Sequence, residues 1–359
     1  MFDLLKEAYS EKKVFLTGHT GFKGAWMLKL LSMLGAQVRG YALAPDHPNN
    51  LYNAIDGGQF CESIIEDIRN KSELTRQLLD FQPDFVFHLA AQPLVRLSYE
   101  MPLETFEVNA VGTANLLDAV RKLKKKCQVV LITTDKVYHN NEWLYPYRET
   151  DRLGGYDPYS ASKACAELVI DSYRNSFFNP NHYQQHQKAI AVGRAGNVIG
   201  GGDWAKDRLI PDVVLALSTN QTIKIRNPKS VRPWQHVLEP IVAYLILGKK
   251  LVDNPIYFNQ SYNFGPFSTD VLSVEEMVNL AIGFWGNGSF IIDDVDDAPH
   301  EAGLLKLDIS KAITELGWYP KMSAEKAVQL SLKWYREFIL NRSNICFYTE
   351  SQILEYLHD

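Results

Sequence analysis

The feature that most constrains the fold is a short apolar β run that leads into a glycine-rich turn. Lys13–Thr17 is followed by a turn and then by a helical segment at residues 25–34, and the turn contains three evenly spaced glycines: Gly18, Gly21 and Gly24. Glycines allow a tight turn and let a diphosphate approach the backbone, where its charge meets the helix N-terminus. A further β run follows at residues 37–43. This order of strand, turn, helix and strand predicts a dinucleotide-binding unit.

The alternation of β runs and helices continues well beyond this unit. Residues 84–89 and 129–134 are predicted as buried strands, and a long helix is predicted from 102 to 125. Such alternation is typical of a parallel sheet with right-handed crossovers, whose ligands collect outside the carboxyl ends of the strands. We therefore expect an α/β protein with a Rossmann-type doubly wound parallel sheet and a smaller C-terminal α/β lobe.

Three segments are expected along the chain. Residues 1–197 are predicted to form the dinucleotide-binding domain, with strands returning to its sheet from later segments. The pattern loosens at Gly200, Gly201 and Gly202, and residues 198–340 are predicted to be mainly a substrate-binding lobe. Residues 341–359 form a tail for which the sequence suggests no role.

Composition excludes several classes of function. The chain has 359 residues, 46% of them hydrophobic and 22% charged, and a net charge of -5, which is typical of a soluble globular protein and does not indicate a nucleic-acid partner. The four cysteines and nine histidines show no metal-ligand spacing, so no metal is expected. No long apolar span or export signal is seen, so we expect no membrane partner and a cytoplasmic location.

A tyrosine and a lysine four residues apart provide candidate chemistry. Proline favours the first turn of a helix, so Pro158 is predicted to begin one, and this places Tyr159 and Lys163 on the same face. A nearby ammonium favours the phenolate form of tyrosine. The pair can therefore take a hydroxyl proton while hydride leaves the same carbon. The alternative is a surface pair that falls at this spacing by chance.

Three residues leave alternatives open. The acid that usually binds the ribose at the end of the second strand is missing, and Arg39 lies nearby, so the choice between NAD and NADP stays open. Asp67 can meet an adenine amino group or cap the next helix. Asn109 falls in the middle of the long predicted helix, where it is either solvated or holds a kink in the backbone.

Several motifs together resemble the extended short-chain dehydrogenases/reductases that act on nucleotide sugars, and the resemblance covers about residues 12–335. They are Thr17-Gly18-x2-Gly21-x2-Gly24, His88-Leu89-Ala90-Ala91, Thr134 and Tyr159-x3-Lys163. Longer phrases resemble the 4,6-dehydratases of that group: His19 to Gly24, Ala91 to Tyr99, Thr134 to Lys136, Arg194 to Trp204 and Arg232 to Val237. In the last phrase Pro233 replaces an aspartate of related enzymes.

The resemblance implies an NAD-dependent hydro-lyase whose substrate is CDP-glucose. It implies five catalytic residues: Thr134, Asp135, Lys136, Tyr159 and Lys163. Asp135 inherits the role of the acid that protonates the leaving hydroxyl. Lys136 stands where dTDP-glucose relatives have a glutamate that removes the C5 proton, so the identity of this base stays open.

The resemblance also implies binding residues. For the cofactor these are Gly18, His19, Thr20, Gly21, Phe22, Lys23, Gly24, Asp67, Ile68, Leu89, Ala90, Ala91, Thr133, Tyr159, Lys163 and Arg194. For the substrate they are Gln92, Arg96, Asn197, Arg208, Leu209, Arg232, His236, Asn263 and His300. Related enzymes pair two helices from each subunit, so the helices at 102–125 and 158–173 imply a homodimer or a dimer of dimers.

The sequence leaves two other functions open. One is another nucleotide-sugar dehydratase or epimerase of the same scaffold, acting on a GDP-, UDP- or dTDP-sugar. The other is a non-catalytic scaffold that binds a dinucleotide. The presence of Thr134, Tyr159 and Lys163 together disfavours the scaffold, which needs none of them.

Overall fold

The computed structural model describes residues 1–292 and 304–358. Seven parallel strands form the central sheet in the order β11-β6-β5-β4-β1-β2-β3. The remaining strands in the described part of the chain form three two-stranded ribbons. The strands are β1 (Lys13–Thr17), β2 (Gln37–Ala42), β3 (Glu62–Ile65), β4 (Phe85–His88), β5 (Cys127–Thr133), β6 (Lys188–Ala195), β7 (Val198–Ile199), β8 (Ile223–Ile225), β9 (Val231–Arg232), β10 (Gln235–His236), β11 (Ser261–Phe264), β12 (Leu272–Ser273) and β13 (Phe290–Ile292).

Helices cover both faces of this sheet and contribute to the smaller lobe. They are α1 (Phe2–Tyr9), α2 (Phe22–Met33), α3 (Leu51–Ala54), α4 (Lys71–Phe81), α5 (Val95–Glu100), α6 (Pro102–Phe106), α7 (Gly112–Arg121), α8 (Pro158–Ser176), α9 (Tyr183–His186), α10 (Leu209–Ser218), α11 (Leu238–Asp253), α12 (Val274–Trp285), α13 (Ala324–Leu340) and α14 (Ile345–His358). Two π-helical turns occur at Glu107–Val111 and Ala312–Leu316. Among the described helices, none is long and apolar enough to span a bilayer.

The strands bury both faces, as a doubly wound sheet requires. Successive side chains of a strand point to opposite faces. On β1, Phe15 packs with α4 and α7, while Val14 and Leu16 pack on the opposite side with α2 and α11. The same alternation separates Val129 and Leu131 of β5 from Val130. The predicted fold class is therefore confirmed.

The glycine turn between β1 and α2 has no room for side chains. Gly18 has a φ of +75°, which favours glycine, and a Cβ at this position would lie 2.7 Å from the backbone nitrogen of Ala90. A Cβ on Gly24 would lie 1.9 Å from the carbonyl oxygen of Gly18. The turn is therefore packed directly against the end of β4.

The long helix predicted at 102–125 is interrupted and shorter. It consists of α6, the π turn Glu107–Val111 and α7, and it ends at Arg121. The predicted start of the next long helix is confirmed, because α8 begins at Pro158. Asp157 caps α8 by accepting a hydrogen bond from the backbone N–H of Ser160, which explains why the helix begins there.

The predicted boundary at residue 197 does not separate the two parts of the chain completely. Strand β11 pairs with β6 at the edge of the central sheet, and α11 packs beneath β5 and β6. Residues 238–264 thus belong largely to the sheet. The smaller lobe is built from the ribbons β8–β13 and β9–β12 with helices α10 and α12.

The tail is part of the core. Helix α14 packs on α13, α2 and α1, and the indole of Trp334 donates to the hydroxyl of Thr349 at 2.9 Å. The hydroxyl of Tyr356 donates to the buried carboxylate of Glu239 at 2.7 Å. The tail therefore fastens the C-terminal helices to α11.

Two glycine-to-alanine substitutions test the packing of the turn. Gly24→Ala should lower the free energy of unfolding by about 2–3 kcal/mol, because the added methyl group overlaps the Gly18 carbonyl. The matched control is Gly283→Ala in α12, where a Cβ meets nothing within 4 Å. It should raise stability by about 0.5–1 kcal/mol, because alanine loses less backbone entropy in a helix. Urea unfolding of both variants measures this, and equal effects would contradict the packing described.

Candidate active site

The start of α8 holds the tyrosine and the lysine at the carboxyl edge of the sheet. The backbone N–H of Tyr159 donates to the hydroxyl of Ser98 at 3.1 Å. The Lys163 ammonium is buried and donates to the carbonyl oxygen of Ile132, near the end of β5, at 2.9 Å. These contacts join α8 to α5 and to β5.

Thr134, Asp135 and Lys136 follow β5 in a single short turn. The Thr134 hydroxyl donates to Oδ1 of Asp135 at 2.8 Å, and its oxygen accepts the backbone N–H of Lys136 at 3.3 Å. The amide of Asn197 donates to Oδ2 of Asp135 at 3.4 Å. The buried carboxylate of Asp135 is thus held from two sides, by β5 and by the segment that follows β6.

A pocket of about 500 Å³ opens above this turn, between the sheet edge and the smaller lobe. Thr134, Asp135, Lys136 and Tyr159 line it together. Of the residues predicted to bind substrate, Arg96, Asn197, Arg208, Leu209 and Arg232 line it as well. Its lining carries five acidic residues and eight basic ones: Lys23, Arg96, Lys136, Lys206, Arg208, Lys224, Arg226 and Arg232. This excess of positive charge suits a polyanionic ligand.

Burial dominates the titration of the central groups. It raises the pKa of Tyr159 to about 12, against hydrogen bonding to Thr134 and the charge of Arg208. It lowers the pKa of Lys163 to about 8, against the charge of Glu167. From the sequence, Lys163 is expected to lower the pKa of Tyr159. In the structure, Thr134 and Arg208 are the leading groups that lower it.

Lys23 belongs to this cluster of charges although it lies in the first turn of α2. Burial lowers its pKa to about 8, as do the charges of Arg208 and Lys163, and the carboxylates of Asp135 and Asp203 oppose them. A positive charge is also unfavourable at a helix N-terminus. The side chain therefore occupies a position that an anionic ligand would stabilise.

A chain of buried hydrogen bonds connects β1 to the catalytic helix. The Thr17 oxygen accepts two backbone N–H groups, from Leu89 and Ala90, so its hydroxyl donates to Nδ1 of His88 at 2.8 Å. The hydroxyl of Thr113 donates to the carbonyl of Asn109, so it accepts from Nε2 of His88 at 3.1 Å. His88 is therefore neutral with its proton on Nε2, and burial lowers its pKa to about 3.

Asn109 completes this chain from the π turn. Its amide nitrogen donates to the carbonyl of Gln92 and to the hydroxyl of Ser162, which in turn donates to the carbonyl of Tyr159 at 2.7 Å. Its carbonyl accepts the backbone N–H of Gln92 at 2.9 Å. Of the two alternatives left open, the solvated one is wrong: Asn109 is buried and fixes the backbone.

Three residues predicted to bind cofactor or substrate have side chains that are hydrogen-bonded inside the fold. Arg194 pairs with the buried carboxylate of Glu167 and donates to Tyr138, and Thr133 donates to the same carboxylate at 2.6 Å. Neither is available to the cofactor. Asn263 donates to two backbone carbonyls and accepts from Tyr138, so its amide is not available to the substrate.

Two further residues predicted to bind substrate also have side chains engaged or buried within the protein. The amide of Gln92 bonds to the backbone of Leu94 and to Thr105, so it shapes its own loop. His236 is fully buried on β10 against Trp26, and burial lowers its pKa to about 3. His300 lies outside the described residues.

The predicted cofactor residues lie around the glycine turn. Phe22 and Lys23 begin α2, Leu89, Ala90 and Ala91 follow β4, and Thr20 donates to the carbonyl of Leu43. The ring of His19 is buried and bonds to Ser63, and burial lowers its pKa to about 4, so only its backbone remains for a ligand. The side chain of Ile68 packs in the core.

Two alternatives near the second and third strands are also resolved. Asp67 is held by Arg69, and the cap of α4 is Asn70, so the capping role of Asp67 is wrong. Arg39 is buried between Glu62 and Asp80, at 2.8 Å from each carboxylate. Its guanidinium is therefore engaged inside the fold.

Three functional positions were missed by sequence reasoning. Asp203 pairs with Arg208 at 2.7 Å, Glu167 compensates the buried cations, and Ser162 links Asn109 to Tyr159. Glu167 follows Lys163 by four residues and Ser162 follows Tyr159 by three, so each shares a face of α8 with that residue, and this spacing was a usable signal. Within residues 1–292 and 304–358, no group of three acidic, histidine or cysteine side chains could hold a metal ion.

A doubly wound parallel sheet with a glycine turn and a Tyr-x3-Lys helix at one edge defines the class of short-chain dehydrogenases/reductases. A family model described as GDP-mannose 4,6 dehydratase matches residues 15–330, and the chain belongs to that family.

Individual relatives agree with this assignment. The chain is 48% identical over 335 residues to CDP-glucose 4,6-dehydratase of Salmonella typhimurium, covering 93% of each chain. It is 28% identical to CDP-paratose 2-epimerase of Salmonella typhi, over 90% of this chain and 98% of that protein. The dTDP-glucose 4,6-dehydratase DesIV of Streptomyces venezuelae, solved with NAD, shares the fold with a TM-score of 0.77 at 23% identity, covering 92% of this chain and 98% of that one.

Burial of Lys163 should lower the free energy of unfolding by an amount that depends on pH. Its pKa is about 8 in the folded protein against an ordinary value of 10.5, so the cost is full below pH 8. As the pH rises from 8 to 10.5, the folded protein loses this proton before the unfolded chain does, and its stability rises.

Lys163→Met should therefore unfold with a free energy about 2 kcal/mol higher than wild type at pH 7, after allowing for the lost hydrogen bond. The difference should shrink towards pH 10. Urea unfolding at both pH values measures it. A difference that is constant with pH would contradict the burial of a charged Lys163.

Proposed function

We propose that the protein is a CDP-glucose 4,6-dehydratase that converts CDP-glucose to CDP-4-keto-6-deoxyglucose, a step towards deoxysugars. The observation that carries the proposal is the joint lining of one pocket by Thr134, Asp135 and Tyr159. An oxidation at C4 needs the tyrosine as a base, and a loss of water at C6 needs the carboxyl group as an acid. The 48% identical relative of the same name supports this choice.

The glycine turn fits NAD. The N-cap of α2 is Gly21, whose lack of a side chain leaves the first backbone N–H groups of the helix for a diphosphate. The turn is also free of Cβ atoms where the backbone packs most closely, at Gly18 and Gly24. The engagement of Arg39 by two carboxylates disfavours a 2′-phosphate and supports NAD over NADP.

The first half of the reaction takes place around Tyr159. NAD, when bound, supplies the hydride acceptor for C4 and later the hydride donor for C6. Tyr159 accepts the proton of the 4-hydroxyl group. When substrate binds, the Thr134 hydroxyl turns from Asp135, to which it donates in this structure, and donates to the same sugar oxygen. Lys163, fixed on the carbonyl of Ile132, binds the ribose next to the reacting ring and provides positive charge near Tyr159.

The second half uses the turn after β5. The new 4-keto group acidifies the C5 proton, which a base removes while the C6–O bond breaks. Asp135 protonates the leaving oxygen, and one water molecule forms. Lys136 is adjacent to Asp135 and lines the same pocket, so it is our candidate for a part in this elimination.

The basic part of the pocket binds the nucleoside diphosphate. Arg208 and Arg232 can donate paired hydrogen bonds to phosphate oxygens, and Asn197 lies between them and Asp135. Arg208 is presented by the carboxylate of Asp203 at 2.7 Å, which holds it in the pocket before any ligand binds.

A panel of nucleotide sugars tests the proposed function. With NAD present, CDP-glucose should give the alkaline absorbance of a 4-keto sugar without accumulation of NADH, because the cofactor returns its hydride. UDP-glucose, dTDP-glucose and GDP-mannose should react much more slowly. Net NADH would indicate a C6 dehydrogenase, and an isomerised sugar with no 4-keto product would indicate an epimerase.

Two variants test the elimination. Asp135→Asn should lower kcat by about 10²–10⁴-fold because the acid is lost, with C4 oxidation retained. Lys136→Ala should release 4-keto product slowly if Lys136 takes part in elimination. Transient NADH in single turnovers measures oxidation separately from product release. A near-native rate in Lys136→Ala would exclude that role.

We also propose that two copies pair through α6, α7 and α8. Leu103 at 73% exposure and Leu168 at 60% present apolar surface there. Leu168→Glu should dissociate the dimer, because a buried interface does not accept an unpaired charge. The control is Leu215→Glu, at an exposed leucine of α10. Light scattering coupled to size exclusion reports both masses, and a monomeric wild type would refute the pairing.

A further inference from the structure

A small cavity lies next to Asp135 and is distinct from the main pocket. Its volume is about 10 Å³, which is enough for the centre of one water molecule. Asp135 and Gly196 line both spaces, whereas Gln235, Ser268 and Val271 line only the small one. The cavity therefore lies on the far side of the catalytic carboxyl group.

Gln235 points an unsatisfied acceptor at this region. Its amide nitrogen donates to the carbonyls of Gly196 at 3.0 Å and Phe264 at 3.1 Å, and these two acceptors fix the orientation of the amide. Oε1 must then face the other way, and it has no partner among the described residues although Gln235 is only 2% exposed. A buried acceptor without a donor costs about 1–3 kcal/mol, and proteins usually satisfy such an atom with water.

The cavity is close to the carboxylate of Asp135. A Cβ on Gly196 would lie 2.0–2.1 Å from the carboxyl atoms of Asp135, so the backbone of Gly196 touches this group directly. Gly196 is also the residue whose carbonyl holds Gln235. Thr134 and Asn197 donate to the two oxygens of Asp135, and each oxygen can accept one bond more.

We propose that the cavity holds one ordered water molecule that bridges Oε1 of Gln235 and the carboxyl group of Asp135 and returns a proton to Asp135 after each elimination. The proposal rests on the acid role of Asp135 in the proposed function. It makes Gln235 a positioning residue, because it acts through the water and not on the sugar.

The proton count of the reaction requires such a return. In each turnover Tyr159 takes the proton of the 4-hydroxyl group, and Asp135 gives its proton to the C6 oxygen as the C6–O bond breaks. A base takes the C5 proton and returns a proton to C5 when hydride returns to C6. The substrate has then lost one water, and the enzyme is left with an ionised Asp135 and a protonated Tyr159. The bridging water passes a proton to Asp135 and is reprotonated from solvent, while Tyr159 releases its proton. No oxidant or further reactant is needed.

The cavity has a route to solvent. Its outer end is lined by Phe267 and Ser268, both exposed on the loop that follows β11. The ammonium of Lys306 donates to the carbonyl of Ser268 at 3.3 Å and lines the same end. Asp135 itself is only 2% exposed, so a path through this end avoids the pocket that substrate fills during turnover.

Filling the cavity tests the proposal. Val271→Ile adds one methyl-sized group to its wall without touching the hydrogen bonds of Asp135 or Gln235. With CDP-glucose and NAD, kcat should fall about tenfold, KM should change little, and the rate should become more sensitive to D₂O because proton return limits it. A small buffer acid should restore part of the rate. The matched control is Val252→Ile at an exposed site on α11, which should behave as wild type.

A second variant and a crystal structure test the same water molecule independently of Val271→Ile. If Val271→Ile unfolds, Gln235→Met should show the same D₂O sensitivity, and a variant with wild-type rate and isotope effect would overturn the relay. A high-resolution crystal structure of the wild type should show the water, and a dry cavity would overturn the proposal by itself. A wild type that makes no 4-keto sugar from any nucleotide sugar would instead contradict the proposed function.

Discussion

The catalytic helix depends on one chain of buried hydrogen bonds that runs from Thr17 through His88, Thr113, Asn109 and Ser162 to the carbonyl of Tyr159. Each link satisfies a group that would cost about 1–3 kcal/mol if left unpaired in the interior. The chain also ties the glycine turn to the catalytic helix, because Thr17 ends the strand before that turn. The glycine turn and the start of the helix that carries Tyr159 are therefore held by a single network.

The same interior also determines the charges of the site. Lys163 and Lys23 are kept where burial disfavours their ionised forms, and Glu167, Asp135 and Asp203 offset part of that cost. An anionic ligand at the pocket would offset part of the remaining cost at Lys23. Burial of these cations thus lowers the stability of the folded protein, and destabilising features of this kind are common at functional sites.

Much of the fold could be predicted because its signals are local. The β1 run, the glycine turn and the start of α8 at Pro158 depend on neighbouring residues only, and the structure confirms them. The resemblance implied Thr134, Asp135, Lys136 and Tyr159 as catalytic residues, and these four line one pocket. The π turn in the long helix was missed, because a single inserted residue barely changes the helical period.

The sequence did not reveal which polar side chains bond to partners inside the protein, because several of those partners are distant in sequence. Arg194, Thr133, Asn263 and Gln92 carry groups suited to ligand binding, yet each is used inside the protein. His236 was predicted at the substrate and is fully buried. In each case the residue type alone did not show whether the side chain would hydrogen-bond to groups within the protein or remain available to a ligand.

The sequence by itself determined the class of fold, the edge of the sheet at which chemistry occurs and the residue types available there. It could do so because strands, glycine turns and helix starts depend on residues that are adjacent in the chain. Only the tertiary structure decided which of those side chains face the pocket and how they titrate. The physical reason is that burial and hydrogen-bond partners come from elements far apart in the chain, as Tyr138 and Asn263 are at a separation of 125 residues.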